Sequence, residues 1–523
     1  MRIDQVALLP TYLAAATAVL ALLADLLVPG RRGVVAAVTA LGMTGTIAAA
    51  LLVGLDGRRE AFCAGPDRCS LVFDPAAAII AGAFALLALG ALALSVPLLR
   101  TGEVPAGEYC FLLACSLTGA VVLGGSRDLI TLIVALEALT LPLYLLVGLR
   151  RGSVAGGSAA VVFFVVSVVS TAVSLLGAAL VFTATGGVHF GDIATVFPGA
   201  EPLLKAGVVL LLAGLAFKVA AVPAHAWAPA TYDGAPLPVA AYLSTASKLG
   251  GVVALVLVGV SAARPVLATS GLTLAVLAVL SMTVGNLVAL RQRRIVRLLA
   301  WSSVAQAGYL LAPLGALLAA GEMAPILVAA TVAYALFYVV LEFSAFAALV
   351  AVRGAADGGE IADYQGLARR SPWLTAVLVI ALAGLAGLPP GLAGLFAKVA
   401  VVRALLGGDA VWLAIVVALN AVIGLAYYVR VAAAFFAPSP TAALSPRALS
   451  SPTATPSPRA LSSPGATASP SDVASSSDVA SSGAAVGLRP AWPVVSAVAI
   501  SAFIAVLLGL APQVIMWAAE TFS

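Results

Sequence analysis

The chain alternates long apolar runs with short polar ones. The runs come in units of about 20 residues, the length of a membrane-crossing helix. Fourteen can be read, at 6–28, 34–55, 75–99, 109–125, 129–149, 157–183, 205–228, 236–260, 267–290, 299–319, 323–352, 372–406, 410–436 and 491–518. The pattern predicts an all-α polytopic membrane protein of about fourteen transmembrane helices. The first run carries Asp25 and lacks an obvious small-residue cleavage site, so it is read as a retained helix and not a signal peptide.

Two runs are interrupted. Lys218 in the seventh is followed by Pro223 and Pro229, and in the twelfth Leu388-Pro389-Pro390-Gly391 precedes Lys398 by seven residues. Broken helices at membrane depth are tolerated only where they face protein or a water-filled cavity, and in transporters they mark ion sites. The breaks lie five spans apart, each beside a lysine, which suggests repeated halves of about five helices.

Residues 438–490 contain no apolar run. They are rich in Ser, Pro, Ala and Thr, and Ser-Pro-Arg-Ala-Leu-Ser-Ser-Pro occurs at 445–452 and again at 457–464. Such a tract cannot bury enough apolar area to offset chain entropy, so a disordered cytoplasmic linker is expected. The predicted organisation is 1–125 as helices 1–4, 126–437 as a core of helices 5–13, 438–490 as the linker and 491–523 as helix 14.

Composition agrees with the pattern. Of 523 residues 62% are hydrophobic and 9% charged, and the mean hydropathy is +1.13. Soluble proteins carry about 25% charged residues, so the solvent for most of this chain is lipid. The net charge of +5 is assigned to cytoplasmic loops and not to nucleic-acid binding. With both termini outside, fifteen of the 27 basic residues fall in inside loops and seven in outside segments, the asymmetry expected of a membrane protein. The 56–74 loop, with three outside arginines, fits this least. It also holds Cys63 and Cys69, for which a disulfide and two free thiols are both open; Cys110 and Cys115 are expected to be packing residues.

Only four of the basic residues are lysines, and Lys218, Lys248 and Lys398 lie inside spans. Arg stays charged in proteins, whereas a buried Lys gives up its proton readily, so groups that must titrate are the reading favoured here. Ionisable residues within the membrane are functional candidates by default. Glu137, in mid-span, needs a cationic partner or a wet cavity, and Glu342 raises the same question. His225 and Tyr338 are secondary candidates. The two histidines are far apart and no Cys-x-x-Cys or Walker phosphate loop is present, which argues against a metal centre, a bound redox group or ATP-driven transport in this chain.

Several motifs resemble a known family. They run from Phe217-Lys218-Val219-Ala220-Ala221-Val222-Pro223 through His225, Trp227, Pro229, Tyr232 and Gly234-Ala235-Pro236. Gly285-Asn286 through Gln292, Arg297 through Ser303, Ala305-Gln306-Ala307-Gly308-Tyr309, Asp363 through Leu367, Gly387 through Gly391 and Asn420 through Arg430 follow. Over residues 125–435 the chain is similar to the antiporter-like membrane subunits of bacterial proton-pumping NADH:quinone oxidoreductase, respiratory complex I. Lys in the twelfth span and the Tyr427-Tyr428 ending look more like subunit N than its paralogues.

The resemblance implies two inverted five-helix repeats and a Glu137, Lys218, Lys248, Lys398 proton relay. It also implies the other membrane subunits of complex I as partners and the bacterial inner membrane as the location. No cofactor would be bound in this chain, NADH and quinone being used by the complex. Three positions depart from the pattern: Val162 where Lys is usual, Ala230 where Asp is usual, and Glu342 where Asn is common. Two other readings share these features, a subunit of a sodium/proton antiporter complex and a non-pumping structural membrane subunit; Val162 and Ala230 motivate the second.

Overall fold

The computed structural model describes residues 3–65, 68–194, 197–259, 266–319, 323–438 and 490–522. In chain order the elements are α1 (Leu9–Leu27), α2 (Arg32–Leu55), β1 (Arg59–Cys63), β2 (Cys69–Phe73), α3 (Pro75–Thr101), α4 (Ala106–Gly124), α5 (Leu129–Gly148), α6 (Val154–Thr185), α7 (Glu201–Lys218) and α8 (Trp227–Gly234). They continue with α9 (Leu237–Leu257), α10 (Leu267–Ala289), α11 (Ile295–Gly315), α12 (Ala324–Arg353), α13 (Pro372–Ala386), α14 (Leu392–Gly407), α15 (Val411–Phe436), α16 (Trp492–Leu510) and α17 (Gln513–Glu520).

Among the described residues twelve helices are long and apolar enough to cross a membrane, and each lies on a predicted run. The two runs that hold no such helix are the two expected to be broken. Run 205–228 becomes α7, an irregular link and the start of α8; run 372–406 becomes α13, a turn and α14. The last run is shorter than expected, because α16 stops at Leu510 and Pro512 starts the separate α17. The chain is a multi-pass membrane protein. Apart from its end residues, the 438–490 tract lies outside the described residues.

Helix starts follow local chemistry. The Asp74 carboxylate accepts from the Ala77 N–H at 2.8 Å with Pro75 next in line, and Asp128 accepts from Thr131 N–H at 2.7 Å. Both satisfy donors that a helix start leaves orphaned. Lipid supplies no hydrophobic drive between helices, so close association depends on small residues. Gly177 of α6 and Gly207 of α7 approach so closely that a Cβ on either would strike the other helix's backbone, and Gly285 stands in the same way against Ala305 between α10 and α11.

The sequence reading missed the hairpin. β1 and β2 pair antiparallel with Arg59 opposite Phe73 and Cys63 opposite Cys69, and Cys63 and Cys69 form a disulfide. Each arginine of this loop meets a carboxylate: Arg58 with Glu60 at 2.9 Å, Arg59 with Asp4 at 3.0 Å and also with Asp56, and Arg68 with Asp192 at 3.0 Å.

Candidate functional site

Glu137 and Lys218 come together. Lys218 is the last residue of α7, and its Nζ donates to Glu137 Oε1 of α5 at 2.7 Å. The ammonium donates also to Thr140 Oγ1 at 3.0 Å and Ser167 Oγ at 3.2 Å, and Thr171 Oγ1 donates to Glu137 at 2.6 Å. Tyr144 extends the cluster through the Ser167 hydroxyl. The Lys218 side chain is 4% exposed and that of Glu137 is 23% exposed, so the lysine is sealed and the carboxylate sits nearer the edge.

The break after Lys218 is built of satisfied backbone. Ala220 takes a left-handed conformation at φ 58°, and its N–H donates to Phe217 O while that of Ala221 donates to Ala216 O. Trp227 Nε1 donates to Phe217 O at 3.2 Å, and Ser281 Oγ accepts from Val222 N–H at 2.9 Å. These bonds meet the rule that irregular backbone at membrane depth be satisfied by protein.

Lys248 is fully buried on α9. Its Nζ donates to Ser303 O and lies 5.6 Å from the Tyr338 ring centre. A π-helical turn, Leu243–Ser247, immediately precedes it. Such turns appear frequently at functional sites, and here the Tyr338 hydroxyl donates to Ser244 O at 3.1 Å within that turn. Tyr338 also contacts Ser303 Oγ at 2.8 Å. Glu342, one turn along α12 from Tyr338, is fully buried, and neither carboxylate oxygen has a hydrogen-bond partner among the described residues. It interacts electrostatically with Lys248.

Lys398 of α14 caps the end of α13, donating to Leu385 O at 3.0 Å and to Ala386 O at 2.5 Å. A residue that sequence reasoning did not single out connects it to the centre. Gln306 of α11 donates to the same Leu385 carbonyl at 3.0 Å and to Tyr428 Oη at 3.1 Å, and accepts from the Tyr334 hydroxyl at 2.5 Å. Its signal was the spacing Ser302, Gln306, Tyr309, which puts three polar groups on one face of an apolar helix. Lys398 Nζ lies 5.1 Å from the Tyr309 ring centre, and Tyr309 Oη accepts from Asn286 at 3.3 Å. Asn286 in turn donates to Asn420 O at 3.0 Å and accepts from Tyr427 at 3.1 Å.

Of the secondary candidates, Tyr338 and Glu342 join the Lys248 cluster. His225 does not: its Nδ1 lies 3.1 Å from Pro223 O, and its ring packs 5.2 Å from Trp301. A cavity of about 530 Å³ opens between α6, α8 and α9, and both Val162 and Ala230 line it with Asp233, Arg294 and Arg297. The metal-ligating side chains that converge among the described residues are Glu60, Cys63 and Cys69. The two sulfurs are bonded to each other, so that group offers no thiolate.

Comparison with known proteins gives a consistent picture. Residues 126–424 match the family model described as NADH:quinone oxidoreductase/Mrp antiporter, transmembrane. The chain is 63% identical to NADH-quinone oxidoreductase subunit N of Salinispora tropica over 84% of this chain and 87% of the relative. It is 46% identical to NADH-quinone oxidoreductase subunit N 2 of Streptomyces griseus over 83% of each. Among solved structures it is similar to a chain of respiratory complex I from Thermus thermophilus, at 28% identity and TM-score 0.71, over 97% of this chain and 98% of that one. It also has the fold of a chain of the Mrp complex from a Dietzia strain, at 22% identity and TM-score 0.79, over 99% and 97%.

Proposed function

The chain belongs to the NADH:quinone oxidoreductase/Mrp antiporter family, and on that premise we propose that it moves protons through a buried Glu–Lys relay. It is an antiporter-like membrane subunit of a NADH-quinone oxidoreductase, an enzyme complex, and no redox centre is evident among the described residues. We assign it to the bacterial inner membrane with both termini outside, the linker inside, and the core at 126–437.

The observation that carries this reading is the contact between Glu137 and Lys218, a titratable pair within apolar helices in which the lysine, at the end of the first half of a broken span, is buried and the carboxylate is partly exposed. A proton enters from the inside face and loads at Lys218. It crosses to Lys248 and leaves near Lys398, with water completing the gaps between side chains. On the exit side the Leu385 carbonyl, which accepts from both Lys398 and Gln306, ties the last station to Gln306, and water would bridge from there to Lys248. Electron transfer to quinone elsewhere in the complex biases whether Glu137 holds Lys218, and so whether the lysine keeps its proton. The inverted pair of five-helix repeats is supported by the two Lys-bearing breaks five spans apart.

The sodium/proton antiporter reading shares the family model, whose description covers both classes, and a structural likeness at 22% identity, which speaks to fold alone; the relatives at 63% and 46% identity carry the oxidoreductase name. The experiment is to purify the native complex, identify its subunits and reconstitute it in vesicles. NADH oxidation with quinone should drive proton transfer that persists when sodium is replaced by choline. Transfer that needs a sodium gradient and ignores NADH would overturn the proposal.

A further inference from the structure

A trough of about 790 Å³ runs down one flank of the bundle, lined by none of the relay residues, walled by α2, α3 and α16 and floored by Val340 and Phe343 of α12. All three walls start at the same level. Arg32 opens α2, Arg100 closes α3 and Trp492 opens α16, so the rim is two guanidinium groups and an indole that is 75% exposed. From that rim the lining runs to Thr44 on α2, Leu86 on α3 and Ile504 on α16. These are 12, 14 and 12 residues, or roughly 18–21 Å of helix at about 1.5 Å per residue. Half of a hydrocarbon core of about 30 Å is about 15 Å. The trough therefore has the depth of one leaflet.

Its polar atoms sort the same way. Below the rim the lining hydroxyls are spent on their own helices: Thr44 donates to Ala40 O at 2.8 Å, Ser496 to Trp492 O at 3.0 Å and Ser501 to Val498 O at 3.1 Å. A ligand with a polar head at depth, such as a quinone, would find no free donor there. At the rim the balance is reversed. Arg32 donates to Leu99 O and Arg100 O at 3.1 and 3.0 Å, leaving its other nitrogens uncommitted, and no carboxylate pairs with Arg31, Arg32 or Arg100 among the described residues. Unpaired cations over a dry apolar slot suit a ligand with an anionic head and alkyl tails. A partner's spanning helix would need a groove through both leaflets, twice this length.

We propose that this trough is a binding site for a diacyl phospholipid of net negative charge, its phosphate at Arg32 and Arg100 and its chains along α2, α3 and α16. On the orientation assigned above, the lipid belongs to the inside leaflet. It would fill the seam where α16, reached only through the Ser/Pro-rich tract, packs on α3 and α12.

The test uses the intact complex in vesicles doped with a photoactivatable phosphatidylglycerol or, separately, phosphatidylcholine, with peptide mapping of the labelled sites and a native gel for assembly. Phosphatidylglycerol should label α2, α3 and α16 preferentially. Arg100→Gln, whose guanidinium has no partner to lose, should weaken that labelling about fivefold, and Arg32→Gln with it about 30-fold, the worth of one basic side chain at an anionic surface applied once and twice. Ala40→Trp should block labelling by filling the slot with the rim intact, in complex that still assembles. Equal labelling by phosphatidylcholine, or labelling unchanged in Arg100→Gln, overturns the anionic site. A disulfide from Thr44→Cys to a neighbouring subunit would show that a protein helix occupies the trough and would overturn it as well. Proton pumping enters none of these readouts, so the site stands or falls apart from the relay.

Discussion

Lys218 Nζ donates to Glu137 Oε1 at 2.7 Å across 81 residues of sequence, and the two substitutions that alter this contact separate a relay from a structural pair. Lys218→Arg keeps the charge but cannot give up its proton at working pH. Glu137→Gln keeps the shape and removes the charge. If the pair is a relay, both variants assemble and lose NADH-driven pumping, by about 10²-fold for a positioned proton-transfer group. If the pair is structural, Lys218→Arg pumps normally and Glu137→Gln fails to assemble, because it strands a buried cation at about 3–5 kcal/mol. Vesicle acidification and a native gel, read side by side, decide.

Gln306 is expected to matter although it carries no charge. Gln306→Met nearly preserves volume and removes the acceptor of Tyr334 Oη, while Tyr428 Oη keeps Ser302 Oγ. Each buried polar group left unsatisfied costs about 1–3 kcal/mol, so thermal stability should fall. If Gln306 also links Lys248 to Lys398, pumping per NADH should fall in the variant that still assembles, with NADH oxidation retained. Unchanged coupling would leave Gln306 a packing residue.

The buried lysines, the broken spans and the apolar runs were legible because each violates or obeys a strong rule: charges avoid lipid, prolines avoid helices, and spans need length. Gln306, Asn286 and Asn420 were quoted only within motifs, because an uncharged amide in a membrane helix carries no comparable penalty to draw the eye. The hairpin at Arg59–Phe73 was missed for a related reason, since five-residue strands in a polar loop leave no period long enough to read. Charge alone suggests that Glu137 wants a cation; the expectation that Lys218 is its partner came with the family resemblance, because no local pattern encodes how α5 and α7 dock. The π-turn before Lys248 had no sequence signal.

On the surface, Asp357 ties two loops together through Arg294 at 2.9 Å and Arg353 at 3.1 Å. Burial works to raise its carboxyl, but hydrogen bonds from the two arginines outweigh this and hold it below the usual carboxylate range. A carboxyl depressed in the folded state stabilises above its unfolded value of about 3.9 and loses that contribution as pH falls through the folded value. Asp357→Asn should lower the Tm at pH 7, and the gap between variant and parent should close below about pH 4. The side chain is half exposed, so the effect should not exceed about 1 kcal/mol. A gap that persists in acid would assign the loss to something other than charge.

Deleting Thr453 through Ala480 should leave assembly and NADH-driven pumping close to the parent, because a tract of this composition forms few folding contacts. A reporter placed within it should read as inside, and one after Ser523 as outside. Loss of the assembled complex would make the tract a docking element, and the opposite reporter pattern would reverse the orientation.

Val162 and Ala230 line the same cavity, together with Asp233, Arg294 and Arg297, and that shared wall turns two separate departures from the family pattern into one. Val162→Lys alone adds a cation to a space whose existing acid, Asp233, is already held by Arg294 at 2.9 Å and Arg297 at 3.0 Å. It should lower stability and complex yield. Ala230→Asp added to it supplies the missing counter-charge, so the double variant should recover, with a coupling of about 1 kcal/mol or more in a double-mutant cycle. Additive losses would show that the two positions do not meet. The same pair weighs the structural-subunit reading, for which these two positions were the motive. If the chain has lost pumping with the lysine and the aspartate, the parent should translocate no protons and the double variant should gain them. If the Glu137–Lys218 relay suffices, the parent pumps already and restoring the pair adds little, because the cavity then needs only to admit water as far as Lys218.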